Sequence, residues 1–163
     1  MKFLAPRVAR MIMAISALIG LFASGYLFYV YVTGGPIACA IMSGCDIVRA
    51  SSWATSFGLP RPFFGLLFFG VLFQLLVVRS IMTAYRKPLY LATLILAIVG
   101  FIESGILFVI QWLDLKAFCF WCLLSGVSAT VVFFASLFDR QTNPVEAERS
   151  SQELRTYFWL IAG

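Results

Sequence analysis

Four cysteines are the residues of this 163-residue chain best suited to chemistry. Cys119 and Cys122 form a CxxC motif, and a spacing of three places both sulfur atoms on one face of a helix. At a helix start, free backbone N–H groups lower the pKa of a thiol and favour the reactive thiolate. Cys39 and Cys45 lie in a separate stretch that contains glycines and a proline. These residue types and spacings indicate thiol–disulfide exchange.

Cys45 is predicted to begin a short helix of its own. Ser43 can cap this helix and Asp46 can complete the capping box, while Gly58 marks the helix end. Cys39 lies upstream in a loop flanked by Gly-Gly-Pro, where another protein could reach it. The helix start would therefore favour the Cys45 thiolate, and Cys39 would meet a partner.

Two other uses of the cysteines compete with redox chemistry. A structural zinc site could take four thiolates, but the aromatic interior of the CxxC motif and the lack of supporting polar residues weigh against it. A permanent disulfide between Cys39 and Cys45 would close a very short loop and stabilise little. The chain has no His, which excludes histidine-ligated haem, His-based zinc sites and Ser-His-Asp triads. No metal is predicted.

The composition places these cysteines in a membrane protein. Hydrophobic residues make up 62% of the chain and charged residues only 12%, against about 25% in a soluble domain. The basic residues are scattered rather than striped along one face, so the net charge of +5 does not indicate nucleic-acid binding. The expected fold class is an all-α integral membrane protein in contact with the lipid bilayer.

Four charge-poor stretches are each long enough for a spanning helix of about 20 residues. The predicted spans cover residues 11–33, 62–78, 88–113 and 117–138. We therefore expect a four-transmembrane-helix bundle over residues 1–140, with a short extracytoplasmic helix in its first loop. Residues 141–163 are predicted as a cytoplasmic tail, whose Asn143-Pro144 start and spaced apolar residues indicate a helix on the membrane surface.

Basic residues in the short loops predict the orientation. They cluster before the first span and between the second and third: Lys2, Arg7, Arg10, Arg79, Arg86 and Lys87. Both termini are therefore expected in the cytoplasm, and all four cysteines in the oxidising compartment outside, the periplasm of a bacterium. A cleaved signal peptide is the competing account of the N-terminus, but the apolar stretch continues to Tyr31, well past a signal core.

In its cysteine pattern the sequence resembles the vitamin K epoxide reductase family. The resemblance covers roughly residues 10–138. It rests on two loop cysteines, a Ser six residues after the second, a Gly-Leu-Pro with a later Gly, and a CxxC opening the last core helix. The matching positions are Cys39, Cys45, Ser51, Gly58, Gly65, Cys119 and Cys122. Disulfide generators of the DsbB type carry their CxxC in the first outward loop, so the order separates the two families.

The resemblance implies a four-helix bundle around a quinone, either ubiquinone or menaquinone, drawn from the membrane quinone pool. Cys122 would lie beside the quinone with Cys119 as its disulfide partner. Cys45 would pass electrons to Cys119, and Cys39 would pair with Cys45 after exchange with a partner protein. The expected activity is quinone-dependent disulfide formation in a periplasmic thioredoxin-like protein of the DsbA type. That partner is expected to be separate, because no thioredoxin-like domain is appended to the chain.

Two positions depart from the vertebrate members of the family. Those members have a Tyr four residues after the CxxC and an Asn four residues before the Gly that matches Gly65. This chain has Gly126 and Arg61 there. The differences favour a bacterial protein of the inner membrane that uses a respiratory quinone, rather than an epoxide or naphthoquinone bound in the vertebrate manner.

The quinone pocket is predicted to be apolar with a few hydrogen-bond donors. Ser51, which the resemblance places near the quinone, Ser52 and Trp121 are the candidate donors. Phe63, Phe64, Phe118 and Trp121 are candidate lining residues, with lipid contact or helix packing as the alternative. Glu103 falls near the middle of the third span, where it could carry a proton toward the quinone. The preferred alternative is a protonated Glu103 bonded to a neighbouring helix through a Ser or Gln74.

Two rival functions remain open from the sequence. The thiols could carry a soft metal ion such as Hg(II) or Cu(I) across the membrane, which would require metal and no quinone. The chain could also be a purely structural membrane subunit, in which cysteine substitutions would leave function intact.

Overall fold

A computed structural model of the protein describes residues 6–39, 44–81 and 86–139. The four long helices are α1 (Pro6–Thr33), α3 (Arg61–Ile81), α4 (Arg86–Val109, continued by a π-helical turn over Ile110–Asp114) and α5 (Phe120–Asp139). Each is long and apolar enough to cross a membrane, which confirms the predicted all-α four-helix membrane bundle. The predicted tail over residues 141–163 and the predicted cap residue Ser43 lie outside the described residues.

Small residues allow the long helices to approach one another closely. Gly20 of α1 lies directly against the ring of Phe69 from α3, and Gly100 of α4 lies against the ring of Phe68. A Cβ atom at Gly65 would lie 2.6 Å from Oγ of Ser24, where α3 and α1 meet. Helices in lipid gain little from hydrophobic burial and associate through such close packing.

The two ends of the bundle differ in chemistry. At the end where α3 and α5 finish, Arg79 and Asp139 form a buried ion pair, with Nη1 of Arg79 2.6 Å from Oδ2 of Asp139. The guanidinium group of Arg79 also lies over the ring of Tyr90 from α4, 5.0 Å from its centroid. We call this end the ion-pair end. The opposite end carries the cysteines, and we call it the cysteine end.

A cap between α1 and α3 covers the cysteine end. It consists of α2 (Cys45–Ala50), a 3₁₀ turn (Ser52–Ala54) and an antiparallel pair of short strands, β1 (Thr55–Ser56) and β2 (Leu59–Pro60). The indole N–H of Trp53 donates a hydrogen bond to Oδ2 of Asp114, over 2.7 Å. This bond ties the cap to the end of α4.

The predicted extent of the cap helix is wrong, because α2 ends at Ala50 rather than at Gly58. Ser51 is extended, with φ −73° and ψ 156°, and its hydroxyl donates to the carbonyl of Val48. A Ser that bonds to the preceding turn in this way competes with helix continuation. The chain then reverses between β1 and β2 through Phe57 and Gly58, whose φ values of 55° and 79° suit a two-residue hairpin turn.

Candidate functional site

All four cysteines meet in one region at the cysteine end. Cys39 and Cys45 form a disulfide whose Cα atoms are 6.5 Å apart, and Cys119 and Cys122 are free thiols. Cys45 is 2% exposed and Cys119 is 1% exposed, and both belong to the same buried apolar cluster. The cluster also contains Leu27, Val30 and Ile37, with Cys39 and Cys122 packed against it. The structure thus brings the two pairs together, although at least 74 residues separate them in sequence.

Cys119 occupies the capping position of α5. Its carbonyl accepts the first helical hydrogen bond, from Leu123, and its Sγ atom accepts one from the backbone N–H of Cys122, 3.4 Å away. A hydrogen bond from the Cys122 side chain lowers the pKa of the Cys119 thiol, while burial acts in the opposite direction. These hydrogen bonds favour the Cys119 thiolate, the form that attacks a neighbouring sulfur atom.

Gln111 is a site residue that the sequence reasoning missed. Its side chain is buried in the π-helical turn, and its Oε1 atom accepts a hydrogen bond from the backbone N–H of Cys119, over 2.8 Å. Its carbonyl also accepts from the N–H of Ala117. Through these two bonds, Gln111 holds in place the segment that leads into the CxxC motif. The available signal was a Gln in an otherwise apolar stretch, eight residues before Cys119.

The loop that carries Cys39 is held in place by side chains from three elements. The N–H of Ala38 donates to the hydroxyl of Tyr26 in α1, and the indole N–H of Trp121 in α5 donates to the Ala38 carbonyl, each over 2.9 Å. The Tyr26 and Trp121 rings lie 4.5 Å apart. Arg49 of α2 donates to the carbonyl of Gly35, over 2.7 Å. Cys39 is therefore half-buried in a docked loop rather than in an open one.

A cavity of about 740 Å³ lies between the cap and the long helices. Its wall is mainly apolar and includes Cys122, the one cysteine among the described residues that line it. The charged groups on the wall are Arg61 of α3 and Glu103 of α4, and hydroxyl and amide groups from several elements add to them, namely Ser24, Tyr31, Ser56, Ser104, Gln111, Ser125 and Thr130. Pockets for small organic ligands have volumes of about 300–1,000 Å³ and a similar balance of apolar wall and few polar groups. A quinone ring fits a cavity of this size and character.

Of the six residues predicted to line the quinone pocket, Phe64 is on the wall of this cavity. The other five, Phe63 among them, are not among its described lining residues. The Ser51 hydroxyl bonds to its own helix, the Trp121 indole bonds to the Cys39 loop, and Ser52 is exposed. The Phe118 ring packs against aromatic rings at the end of α4, with centroids 6.0 and 6.2 Å away. Bonds to backbone carbonyls therefore occupy Ser51 and Trp121, and aromatic packing occupies Phe118.

Glu103 pairs with Arg61 rather than with a Ser or Gln74. Nη1 of Arg61 lies 3.2 Å from Oε1 of Glu103, and Nε of Arg61 donates to the hydroxyl of Ser56 over 3.0 Å. Arg61 is the first residue of α3, so its side chain reaches across the cavity wall to α4. The side chain of Glu103 is 54% exposed, so this ion pair is accessible from the cavity side.

A disulfide and an adjacent free dithiol beside an apolar cavity, within a bundle of helices long and apolar enough to cross a membrane, are the arrangement of a membrane thiol oxidoreductase. The sequence matches the family model described as "Vitamin K epoxide reductase family" over residues 11–137. The chain therefore belongs to this family, as its cysteine pattern predicts, and it is a quinone-linked thiol oxidoreductase of the membrane.

Proposed function

We propose that this protein forms disulfides in a thioredoxin-like protein, of the DsbA type, and passes the electrons to a membrane quinone. The observation that carries the proposal is the arrangement of the two cysteine pairs. Cys45 and Cys119 share one buried cluster, while Cys122 lines the cavity. Electrons can therefore enter at Cys39, cross between the pairs and leave at Cys122.

The exchange steps conserve two electrons. A partner thiolate attacks Sγ of Cys39, which breaks the Cys39–Cys45 bond and frees the Cys45 thiolate. The second partner thiol then closes the partner's disulfide and releases Cys39. Cys45 attacks Cys119 of an oxidised CxxC pair, which frees Cys122, and Cys39 finally attacks Cys45 to re-form the loop disulfide. The CxxC pair is now reduced by two electrons, and the partner is oxidised by two.

The quinone supplies the oxidising capacity, since it takes up two electrons and two protons to become a quinol. Cys122 would meet it in the cavity as a thiolate and bond to it through sulfur. The Cys119 thiolate would then attack the Cys122 sulfur, which would form the disulfide, break the bond between Cys122 and the quinone, and leave the electron pair on the quinone, which would take up two protons and depart as quinol. Phe64 would contact the ring, and Arg61 would donate a hydrogen bond to a ring carbonyl while Glu103 holds the guanidinium group in place. Gly126 also lines the cavity and leaves room beside the ring.

The proposed setting is the inner membrane of a bacterium, with both termini in the cytoplasm and the cysteine end in the periplasm. The basic residues support it, because Arg10, Arg79 and Lys87 lie at the ion-pair end of their helices. Labelling of the reduced protein by a membrane-impermeant maleimide in spheroplasts tests this setting. Labelling that appears only after the membrane is permeabilised would contradict it.

The proposed function is tested with the purified full chain in detergent. The protein is mixed with a reduced DsbA-type protein or a small dithiol and a soluble ubiquinone or menaquinone analogue, and the quinone absorbance is followed. We expect one quinone to be consumed for each disulfide formed. No consumption with either donor, together with retention of Hg(II) or Cu(I) by the thiols, would favour the metal-carrier alternative.

Removal of the Arg61 guanidinium is expected to weaken quinone binding. A hydrogen bond from a charged donor contributes about 1.5–3 kcal/mol, so Arg61→Ala should raise the KM for the quinone about tenfold or more. The KM for the dithiol should not change, because Arg61 does not contact the described cysteines. Lys87→Ala removes the same charge from the start of α4, at the ion-pair end of the bundle, and serves as the matched control. An unchanged KM for the quinone in Arg61→Ala would show that Arg61 does not bind the quinone.

A further inference from the structure

We infer that Gly44 positions Cys45 for exchange with Cys119, because its missing side chain lets the cap lie directly against the start of the CxxC motif. The inference rests on the proposed electron relay and adds a positioning residue to it. Gly44 immediately precedes Cys45 and occupies the capping position of α2. Phe118, against which it lies, immediately precedes Cys119.

The contact between Gly44 and this segment leaves no room for a side chain. A Cβ atom at position 44 would lie 2.6 Å from the carbonyl oxygen of Phe118, 2.8 Å from its nitrogen and 3.1 Å from Cβ of Ala117. Cβ atoms in proteins essentially never lie closer than 3.0 Å to another heavy atom. A substitution at position 44 therefore requires one of the two chain segments to move.

Neither the backbone angles of Gly44 nor flexibility of its neighbour explains the glycine. Gly44 has φ −82° and ψ −5°, a right-handed conformation that residues with side chains also adopt, so the contact and not the backbone excludes a side chain. On the other side, Gln111 holds the chain through bonds to the N–H groups of Ala117 and Cys119. The cap is then the segment that moves, and it carries Cys45 away from Cys119.

Separation of these two residues would affect one step of the relay. The Cys45 thiolate must reach the Cys119 sulfur to form the disulfide between the pairs, and disulfides tolerate little change in Cα separation. A misplacement of about 1 Å can reduce the rate of a reaction between two positioned groups by up to about a hundredfold. The reduction of Cys39–Cys45 by a small dithiol does not depend on this approach.

The experiment measures the exchange directly, without quinone or partner. The parent is the full chain with Cys39→Ser and Cys122→Ser, which retains only Cys45 and Cys119. Its disulfide formation under diamide is followed by thiol tagging on non-reducing gels. We expect Gly44→Ala to slow this reaction about tenfold or more. Gly35→Ala is the matched control in the same connection, because its Cβ would meet only Oγ1 of Thr33 at 3.7 Å.

A second reagent distinguishes a displaced cap from a misfolded variant. A methanethiosulfonate crosslinker with a two-carbon spacer should join Cys45 to Cys119 in Gly44→Ala as efficiently as in the parent, because a displaced cap remains within its reach. Loss of both reactions would mean that the variant is misfolded, not displaced, and would overturn the inference. Equal rates of direct disulfide formation in Gly44→Ala and the parent would also overturn it, and would leave the proposed function intact. A parent that forms no Cys45–Cys119 disulfide would overturn the relay itself.

Discussion

Replacement of Cys122 by Ala is expected to abolish quinone reduction with every electron donor, whereas replacement of Cys39 by Ala should block only the protein donor. Cys122 lines the cavity, so its loss removes the thiol that the quinone would meet. Cys39 lies in the docked loop at the other end of the relay. Without Cys39, the disulfide in the docked loop is lost, and Cys45 and Cys119 are too deeply buried for a folded partner protein to reach.

A small dithiol bypasses the loss of Cys39. Cys45 remains beside the CxxC pair in the shared cluster, so its thiolate can still attack Cys119. A small dithiol, unlike a folded protein, can then reach the buried Cys45–Cys119 disulfide and reduce it. Cys39→Ala should therefore retain quinone reduction with a small dithiol. This split between donors would follow from the order of the relay and not from general damage to the fold.

Quinone absorbance with each donor, measured for both variants and the unaltered protein, checks the prediction. Ser128→Ala is a suitable control for substitution within α5, because the Ser128 hydroxyl bonds to the preceding turn at Leu124 and is not among the described residues of the cavity wall. Full quinone reduction by Cys122→Ala would show that the Cys122 thiol takes no part in the reaction. Equal losses with both donors in Cys39→Ala would show that Cys39 has a role beyond receiving electrons from the partner.

The bundle and the cysteine pairs could be predicted from the sequence because simple physical requirements determine them. A membrane helix needs a long apolar stretch with few charges, and all four such stretches form helices in the structure. The helices reverse direction at each loop, so two pairs in the first and third loops must reach the same end. Their spacing also identified the family that the comparison confirms.

The cavity wall could not be predicted, because a donor's residue type does not reveal what it bonds to. Trp121 carries a suitable N–H group, yet it bonds to Ala38, 83 residues earlier in the chain. Ser51 carries a hydroxyl, yet it ends α2 by bonding to Val48. Both outcomes depend on the path of the cap across the bundle. Neither helical periodicity nor composition predicts the path that the cap takes.

The partner of Glu103 also could not be predicted, because it depends on how the helices pack. A carboxyl group near the middle of a span suggested a neutral acid bonded within the bundle. The structure instead provides Arg61, 42 residues earlier, at the first residue of α3. The pair joins the start of α3 to a residue within α4. The sequence contains both residues but not the packing of the two helices that brings them together.

Asp139→Ala at the ion-pair end is expected to lower the free energy of unfolding by about 3–5 kcal/mol, because it leaves the Arg79 charge buried without its carboxylate. The two side chains are 3% and 2% exposed, and they join the last turns of α3 and α5. Tyr90 packs against the guanidinium group from α4, so three helices meet at this point. A ring can stabilise a cation, but it does not replace an opposite charge.

The stability measurement is thermal unfolding of the full chain in detergent, followed by helical circular dichroism. Asp139→Ala and Arg79→Ala should each lower the midpoint strongly. The double variant Arg79→Leu with Asp139→Leu is the informative control, since it removes both charges and restores apolar volume. It should lose clearly less stability than either single variant, because a buried pair contributes little beyond an apolar replacement once no charge is left alone.

The comparison between single and double variants decides what the ion pair does. A double variant as unstable as the single ones would mean that specific bonds of Arg79 and Asp139 hold α3 to α5, and that charge neutralisation is secondary. Single variants with an unchanged midpoint would mean that water reaches this end of the bundle and solvates the remaining charge. Quinone reduction at low temperature should be retained in every case, because the ion-pair end lies across the membrane from the cysteines and shares no described residue with the cavity wall.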